Sequence, residues 1–219
     1  MKLDSKTVEV LKSFSTINPS ILVKVGNVLQ TISPTKTLMA KAVVKDSFDK
    51  EFALFDVSRF LAVLSLFKEP EVKLYENNLE VVGSGKRVSY AYCDKDSIVV
   101  PPNKEIKLPS VDVQFDVTEE QLAEVSKARG ILGHPDVVFV GANGKVMLQA
   151  IDVKRPTDDI YSVDVGTTEA TFMAVFKPEN LKLLPANYSI SISKKGISHW
   201  KASEELQYFV AVEGTSTYE

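Results

Sequence analysis

The stretch Ile98-Val99-Val100-Pro101-Pro102-Asn103-Lys104-Glu105-Ile106-Lys107-Leu108-Pro109-Ser110 lies at the middle of a 219-residue chain. It holds three prolines and no glycine. Proline fixes φ and lacks a backbone donor, so this segment forms neither a helix nor an interior strand. It reads as a stiff, extended strap. A strap at the midpoint divides the chain into two halves, residues 1–98 and 111–219, joined by a connector at 99–110.

The composition is that of an ordinary soluble globular chain, with 44% hydrophobic and 25% charged residues. Its length accommodates one large or two small domains. It has no apolar run long enough to span a membrane. The polar start, Met1-Lys2-Leu3-Asp4-Ser5, is not that of a signal peptide. Cys93 is the single cysteine, which excludes an intrachain disulfide and a thiolate metal cluster and points to a reducing compartment. A net charge of −3 excludes a cationic nucleic-acid binder overall, but it leaves room for a local basic surface.

Outward from the strap, the same order of elements is predicted twice. In the first half, Val8, Leu11 and Phe14 mark one side of a helix over residues 4–15, capped by Asp4 or Ser5. Residues 21–25 and 28–32 read as a hairpin turning at Gly26-Asn27, and residues 37–44 and 51–55 as two more strands. Asp56 caps a helix over 57–67. Residues 71–76, 79–82 and 86–92 form a three-strand meander turning at Asn77-Asn78 and Gly83-Ser84-Gly85.

After the strap comes an additional strand at 111–117. Thr118 then caps a helix whose first turn carries Glu119 and Glu120, where the helix dipole favours anions. Strands follow at 137–140, 145–151, 160–165 and 170–176, then a short helix over 178–184 opened by Pro178. A second meander at 188–193, 196–201 and 207–212 and a polar tail at 215–219 close the chain. Gln30 answers Gln149, and Phe52 answers Phe172, so the chain reads as two similar α+β domains, each with two helices on antiparallel sheet.

Catalytic chemistry finds little support. His134 sits in a loop and His199 on a strand, without metal-ligand spacing. Gly83-Ser84-Gly85-Lys86 lacks the upstream glycine and following helix of a phosphate loop and reads as a hairpin turn. Asp152, Asp158 and Asp159 share a loop with Lys154 and Arg155, as solvated charge rather than a carboxylate pair. Lys2, Lys6, Lys12, Arg59, Lys127, Arg129, Lys177 and Lys182 lie on or beside predicted helices. They read either as the solvated side of amphipathic helices or as one surface facing a polyanion. No aromatic residue interleaves with them and no recognition motif appears, so any nucleic-acid contact is phosphate-directed and blind to sequence.

The residues also resemble a known family. Met1-Lys2-Leu3, then Leu11-Lys12-Ser13-Phe14-Ser15-Thr16-Ile17-Asn18, the helix Phe60-Leu61-Ala62-Val63-Leu64-Ser65-Leu66, the strap and the ending Tyr208-Phe209-Val210-Ala211-Val212-Glu213 are similar to the DNA polymerase sliding clamps of T-even-type bacteriophages. That resemblance implies the clamp fold, a closed homotrimeric ring lined by helices, four per subunit, and no enzymatic activity or cofactor. It implies duplex DNA in the hole, facing Lys2, Lys6, Lys12, Arg59, Lys127, Arg129, Lys177 and Lys182. It implies subunit junctions between Arg87, Val88 and Tyr90 of one chain and Ile160, Tyr161 and Val163 of the next. Partner tails are expected on Ile106, Leu108 and Pro109 of the strap and Phe209, Val210 and Val212 of the last strand. The implied partners are the replicative DNA polymerase, an ATP-dependent clamp loader and late-transcription factors, in the cytoplasm of the infected host. Two alternatives from other classes are a phage structural β-protein without a DNA role and an enzyme with an unrecognised site.

Overall fold

The computed structural model describes residues 1–155 and 159–219, and Asp158 lies outside the described residues. The chain divides into two compact units, Met1–Lys104 and Glu105–Glu219, with the division inside the proline strap. Residues 98–110 hold neither helix nor strand, as three prolines dictate.

In the first unit, α1 (Ser5–Ile17) begins at Asp4, whose carboxylate accepts from the Lys6 amide at 2.9 Å. It buries Val10, Leu11, Phe14 and Ile17 and leaves Lys6, Glu9 and Lys12 exposed. β1 (Ile21–Val23) pairs with β4 (Phe52–Leu54), and β2 (Gly26–Ile32) pairs with β3 (Leu38–Phe48), both antiparallel. The expected hairpin between β1 and β2 is therefore absent. Only Gly26 takes a positive φ there, +110°, so the chain bends without making a two-residue reversal.

Asp56 caps α2 (Val57–Ser65), accepting from the Arg59 amide at 2.8 Å. Val57, Phe60 and Leu64 are buried beneath it. β5 (Glu71–Leu74), β6 (Asn78–Gly83) and β7 (Lys86–Ala91) form the predicted meander. Ser84 and Gly85 sit at φ +50° and +74°, the tight hairpin turn read from the sequence.

In the second unit, α3 (Glu119–Leu132) starts in a reciprocal capping box between Thr118 and Gln121 and ends at Gly133, left-handed at φ +72°. β9 (Asp136–Ala142), β10 (Lys145–Ile151), β11 (Tyr161–Thr167), β12 (Phe172–Phe176) and β16 (Thr217–Tyr218) form one sheet in the order β11-β10-β9-β12-β16. β8 (Val113–Val117), β13 (Tyr188–Ser193), β14 (Ile197–Lys201) and β15 (Leu206–Ala211) lie side by side in the order β8-β13-β14-β15. Gly141 is required for packing: a Cβ there would lie 2.3 Å from the Phe172 ring. Trp200, fully buried, makes edge contacts with Phe139, Phe176 and Tyr188 at ring-centre distances of 5.8, 5.5 and 6.0 Å.

Two expectations for this unit are corrected. The helix expected over 178–184 is only a 3-10 turn, Pro178–Asn180. Pro185 disfavours helical backbone at Leu184, which leaves too few residues to repay helix nucleation. The second unit thus has one α-helix where two were expected, and the described residues contain three in all. The polar tail, read without a strand, carries Thr217–Tyr218 paired with β12.

Candidate functional site

Both units present an outer strand with an open backbone edge. The turn at Ser84-Gly85 makes Gly83 and Lys86 a hydrogen-bonded pair, and pairs alternate from there along β6 and β7. The amides of Val88 and Tyr90 therefore serve the ladder, and those of Arg87, Ser89 and Ala91 point outward. The side chains of Val88 and Tyr90 are half-buried. The Tyr90 ring lies edge-on to Phe60 at 5.9 Å, and its hydroxyl donates to the Asp56 carbonyl at 2.8 Å. Burial, with Asp56 nearby, holds that phenol above its ordinary pKa.

The same reasoning applies to β11. Asn143 and Gly144, at φ +53° and +78°, form a tight turn that makes Ala142 and Lys145 a hydrogen-bonded pair. Tyr161 and Val163 then bond to Ala150 and Leu148, and Ser162 and Asp164 turn their backbone outward. Consistently, the Asp164 carbonyl accepts from Gln121 Nε2 at 3.1 Å. The Tyr161 hydroxyl donates to Glu124 of α3, and this bond to the carboxylate raises the phenol's pKa. Ile160, just before the strand, is 46% exposed. Of the predicted junction residues, Val88, Tyr90, Tyr161 and Val163 lean on their own unit. The sequence reading left the outward amide open between Val88 and Ser89 and did not single out Ser162, because only strand register tells outward amides from inward ones.

The basic residues fall into two groups. Lys6, Lys12, Arg59 and Lys127 are exposed on α1, α2 and α3. Lys182 is also exposed, on the extended segment after the 3-10 turn. Lys2 pairs with Glu69 at 2.8 Å, and Arg129, half-buried, donates to the His134 carbonyl at 3.1 Å. Lys177 lies 2.5 Å from Asp136, which is 1% exposed and also accepts from the Val153 amide at 3.2 Å. That hydrogen bond holds the Lys177 ammonium pKa above its usual value. Lys177 is thus the partner of a buried carboxylate and a poor candidate for a loose external contact. α3 also displays Glu119, Glu120 and Glu124 on its exposed side.

The strap is tied to the first unit by Asn18 Nδ2 to the Val99 carbonyl at 3.2 Å and Lys24 to Asn103 at 2.9 Å. Further along, the Ser110 hydroxyl lies 2.7 Å from that of Ser193. Ile106 and Leu108 are half-buried and Pro109 is exposed. Val210 and Val212, expected to line a docking wall, are core residues at 0% and 8% exposure. Strand alternation sends Tyr208, Val210 and Val212 inward and leaves Phe209 on the other face. There Phe209 stacks on His199 at 4.6 Å, and His199 Nε2 meets Gln207 at 3.1 Å.

Comparison with known proteins bears on both units. Residues 2–100 match the family model described as DNA polymerase processivity factor, and residues 114–214 match that of the gp45 sliding clamp, C terminal. The sliding clamp of Vibrio phage KVP40 is 30% identical, over 97% of this chain and 99% of its own length. That of Escherichia phage RB69 is 27% identical over 100% of both chains. The structure of A. fulgidus PCNA bound to the C-terminal region of FEN-1 superposes with a TM-score of 0.69, covering 94% of each chain at 11% identity, which speaks to fold alone.

Proposed function

From the chain's membership of the bacteriophage sliding-clamp family of DNA polymerase processivity factors, we propose that it works as a ring-shaped homotrimer. The ring encircles duplex DNA in the cytoplasm of the infected host and tethers the replicative polymerase. An ATP-dependent loader opens it, it also serves late transcription, and it catalyses no reaction itself. The observation that carries the ring is the pair of open edges, β7 in one unit and β11 in the other. An edge strand is a template for another chain, and two different edges on each copy favour head-to-tail joining that can close. Lys86 and Arg87 on β7 meeting Asp164 on β11 would favour that joining over like with like.

Lys6, Lys12, Arg59, Lys127 and Lys182 are the cations offered to phosphate, without base contacts, so that the ring moves along any sequence. The strap residues Ile106, Leu108 and Pro109, with Phe209, offer an apolar surface for a partner's tail. A. fulgidus PCNA, of the same fold, is bound to such a C-terminal region. The deciding experiment loads the protein onto nicked circular DNA and then linearises the circle. A clamp stays on the circle and runs off the linear form, and equal retention on both sinks the reading. Leu108→Glu is expected to abolish polymerase stimulation with the trimer intact, and parallel loss of the trimer would assign Leu108 to the fold.

A further inference from the structure

The open edges of β7 and β11 have counterparts that are not open. In the meander of the first unit, Val72 pairs with Val81 at a position where both its backbone groups point away from β6. Met1 takes both. The Val72 amide donates to the Met1 carbonyl at 2.8 Å, and the N-terminal ammonium donates to the Val72 carbonyl at 2.7 Å. The same ammonium lies 3.7 Å from the Glu71 carboxylate. In the second unit, the outer side of β12 is taken by the end of the chain. Phe172 and Met173 pair with Tyr218 and Thr217, and the Glu219 amide donates to the Thr171 carbonyl at 3.0 Å. The Val175 amide donates to the Ser216 hydroxyl at 2.9 Å, and its carbonyl accepts from the Glu213 amide at 2.9 Å. The Tyr218 ring stacks over Phe172 at 6.5 Å.

Each terminus therefore covers the outer strand of a sheet whose opposite outer strand is open. Neither cover is a substantial core element: one is a single residue and the other a two-residue strand. What both do is satisfy outward amides and carbonyls that would otherwise template addition of another chain. We propose that the two termini are edge guards. In these two sheets, Met1 on β5 and residues 216–219 on β12 leave a second copy of this chain the edges β7 and β11 to join. Head-to-tail association closes into a ring only when each copy offers one edge of each kind. Further open edges give branched or unending assemblies instead. The choice of β7 and β11 as the working edges rests on the trimer reading above, but the guarding itself does not.

The test compares three chains with the intact one by sedimentation velocity and thermal melting. The first lacks Thr217–Glu219. The second lacks Met1 and Lys2 and starts at Leu3→Met, which removes the donor and the carbonyl that cover Val72. The third combines the C-terminal deletion with Met173→Pro, which removes an outward amide from the uncovered β12. The first two are expected to melt cooperatively and to form species heavier than the intact protein, growing with concentration, and the third to lose them. Sedimentation of the first two like the intact chain overturns the proposal. So do heavier species that Met173→Pro leaves unchanged, and so does loss of the folded transition in both variants, which would make the termini parts of the core. A monomeric intact chain beside a polymerising truncated one would refute the trimer and uphold the guards. A trimeric intact chain beside an unchanged truncated one would do the reverse.

Discussion

The two units share an order of elements and each has an open outer strand, but their strand pairings and their helices differ. After β4 the first unit builds α2 and buries Val57, Phe60 and Leu64 beneath it. At the corresponding place after β12 the second unit makes one 3-10 turn and runs on through Leu181, Leu183, Leu184 and Pro185. These residues, with Leu122 and Val125 of α3, line a cleft of about 210 Å³. The charges differ as well. Lys6, Lys12 and Arg59 stand on the first unit's helices, and α3 offers Lys127 among exposed Glu119, Glu120 and Glu124. An open outer strand is what the two units share, which fits a requirement for matching edges. On the function proposed above, the helices are freer to diverge, because a loose phosphate contact demands charge and little geometry.

The largest expected effect tests the shared part. Ser89→Pro removes an outward amide of β7 and leaves the β6 ladder intact, whereas Val88→Pro breaks the ladder itself. Leaving a buried acceptor unpaired costs about 1–3 kcal/mol, so assembly should weaken roughly tenfold or more. Sedimentation over a concentration series reads this, and Ser162→Pro on β11 should match it. An unaffected trimer would show that these edges are not the junction.

Next comes the charge contrast. Lys6→Glu, Lys12→Glu and Arg59→Glu together should impair loading onto circular DNA far more than Lys127→Glu alone. The log–log salt dependence of residual binding should lose about 0.9 for each phosphate contact removed. Equal loss from the single change would place the working charge on α3 and erase the contrast.

Lys177 separates a structural cation from an exposed one. Lys177→Met removes the cation from the buried Asp136 carboxylate, which still accepts from the Val153 amide. Because Lys177 is itself one-third exposed, the expected destabilisation is about 2 kcal/mol, below that for a fully buried pair. Lys6→Met should stay within about 0.5 kcal/mol. Thermal melts of the two variants decide it.

The smallest effect is a pH dependence confined to the second unit, which holds both histidines. Burial pushes the His199 pKa below the ordinary imidazole value of about 6.5, against a weaker opposing bond from Gln207. The folded state then binds fewer protons than the unfolded one, so stability is full above about pH 6.5 and falls as the pH drops below it. His199→Phe keeps a ring against Phe209 and should flatten the change in melting temperature between pH 7 and 5.5. An unchanged slope would assign the acid sensitivity elsewhere.

Much of this molecule was legible in its sequence because the deciding signals are local. Three prolines set the strap. Asp4, Asp56 and Thr118 set three helix starts, Gly133 one helix end, and the Ser84-Gly85 turn a hairpin. Alternation and element order gave the repeat of two α+β units, and the matching motifs gave the family. What the sequence could not settle depends on partners distant along the chain. Whether β1 pairs with β2 or β4 turns on competition between ladders. Whether residues 178–184 make a helix turns on what nucleation costs beside Pro185. Lys177 looks like any surface lysine until folding sets it on Asp136, and Val210 looks like a docking residue until alternation sends it inward. The outward amides of Ser89 and Ser162, and the covering of β5 and β12 by the chain's two ends, exist only through register, which the tertiary structure fixes by burying one face of each strand.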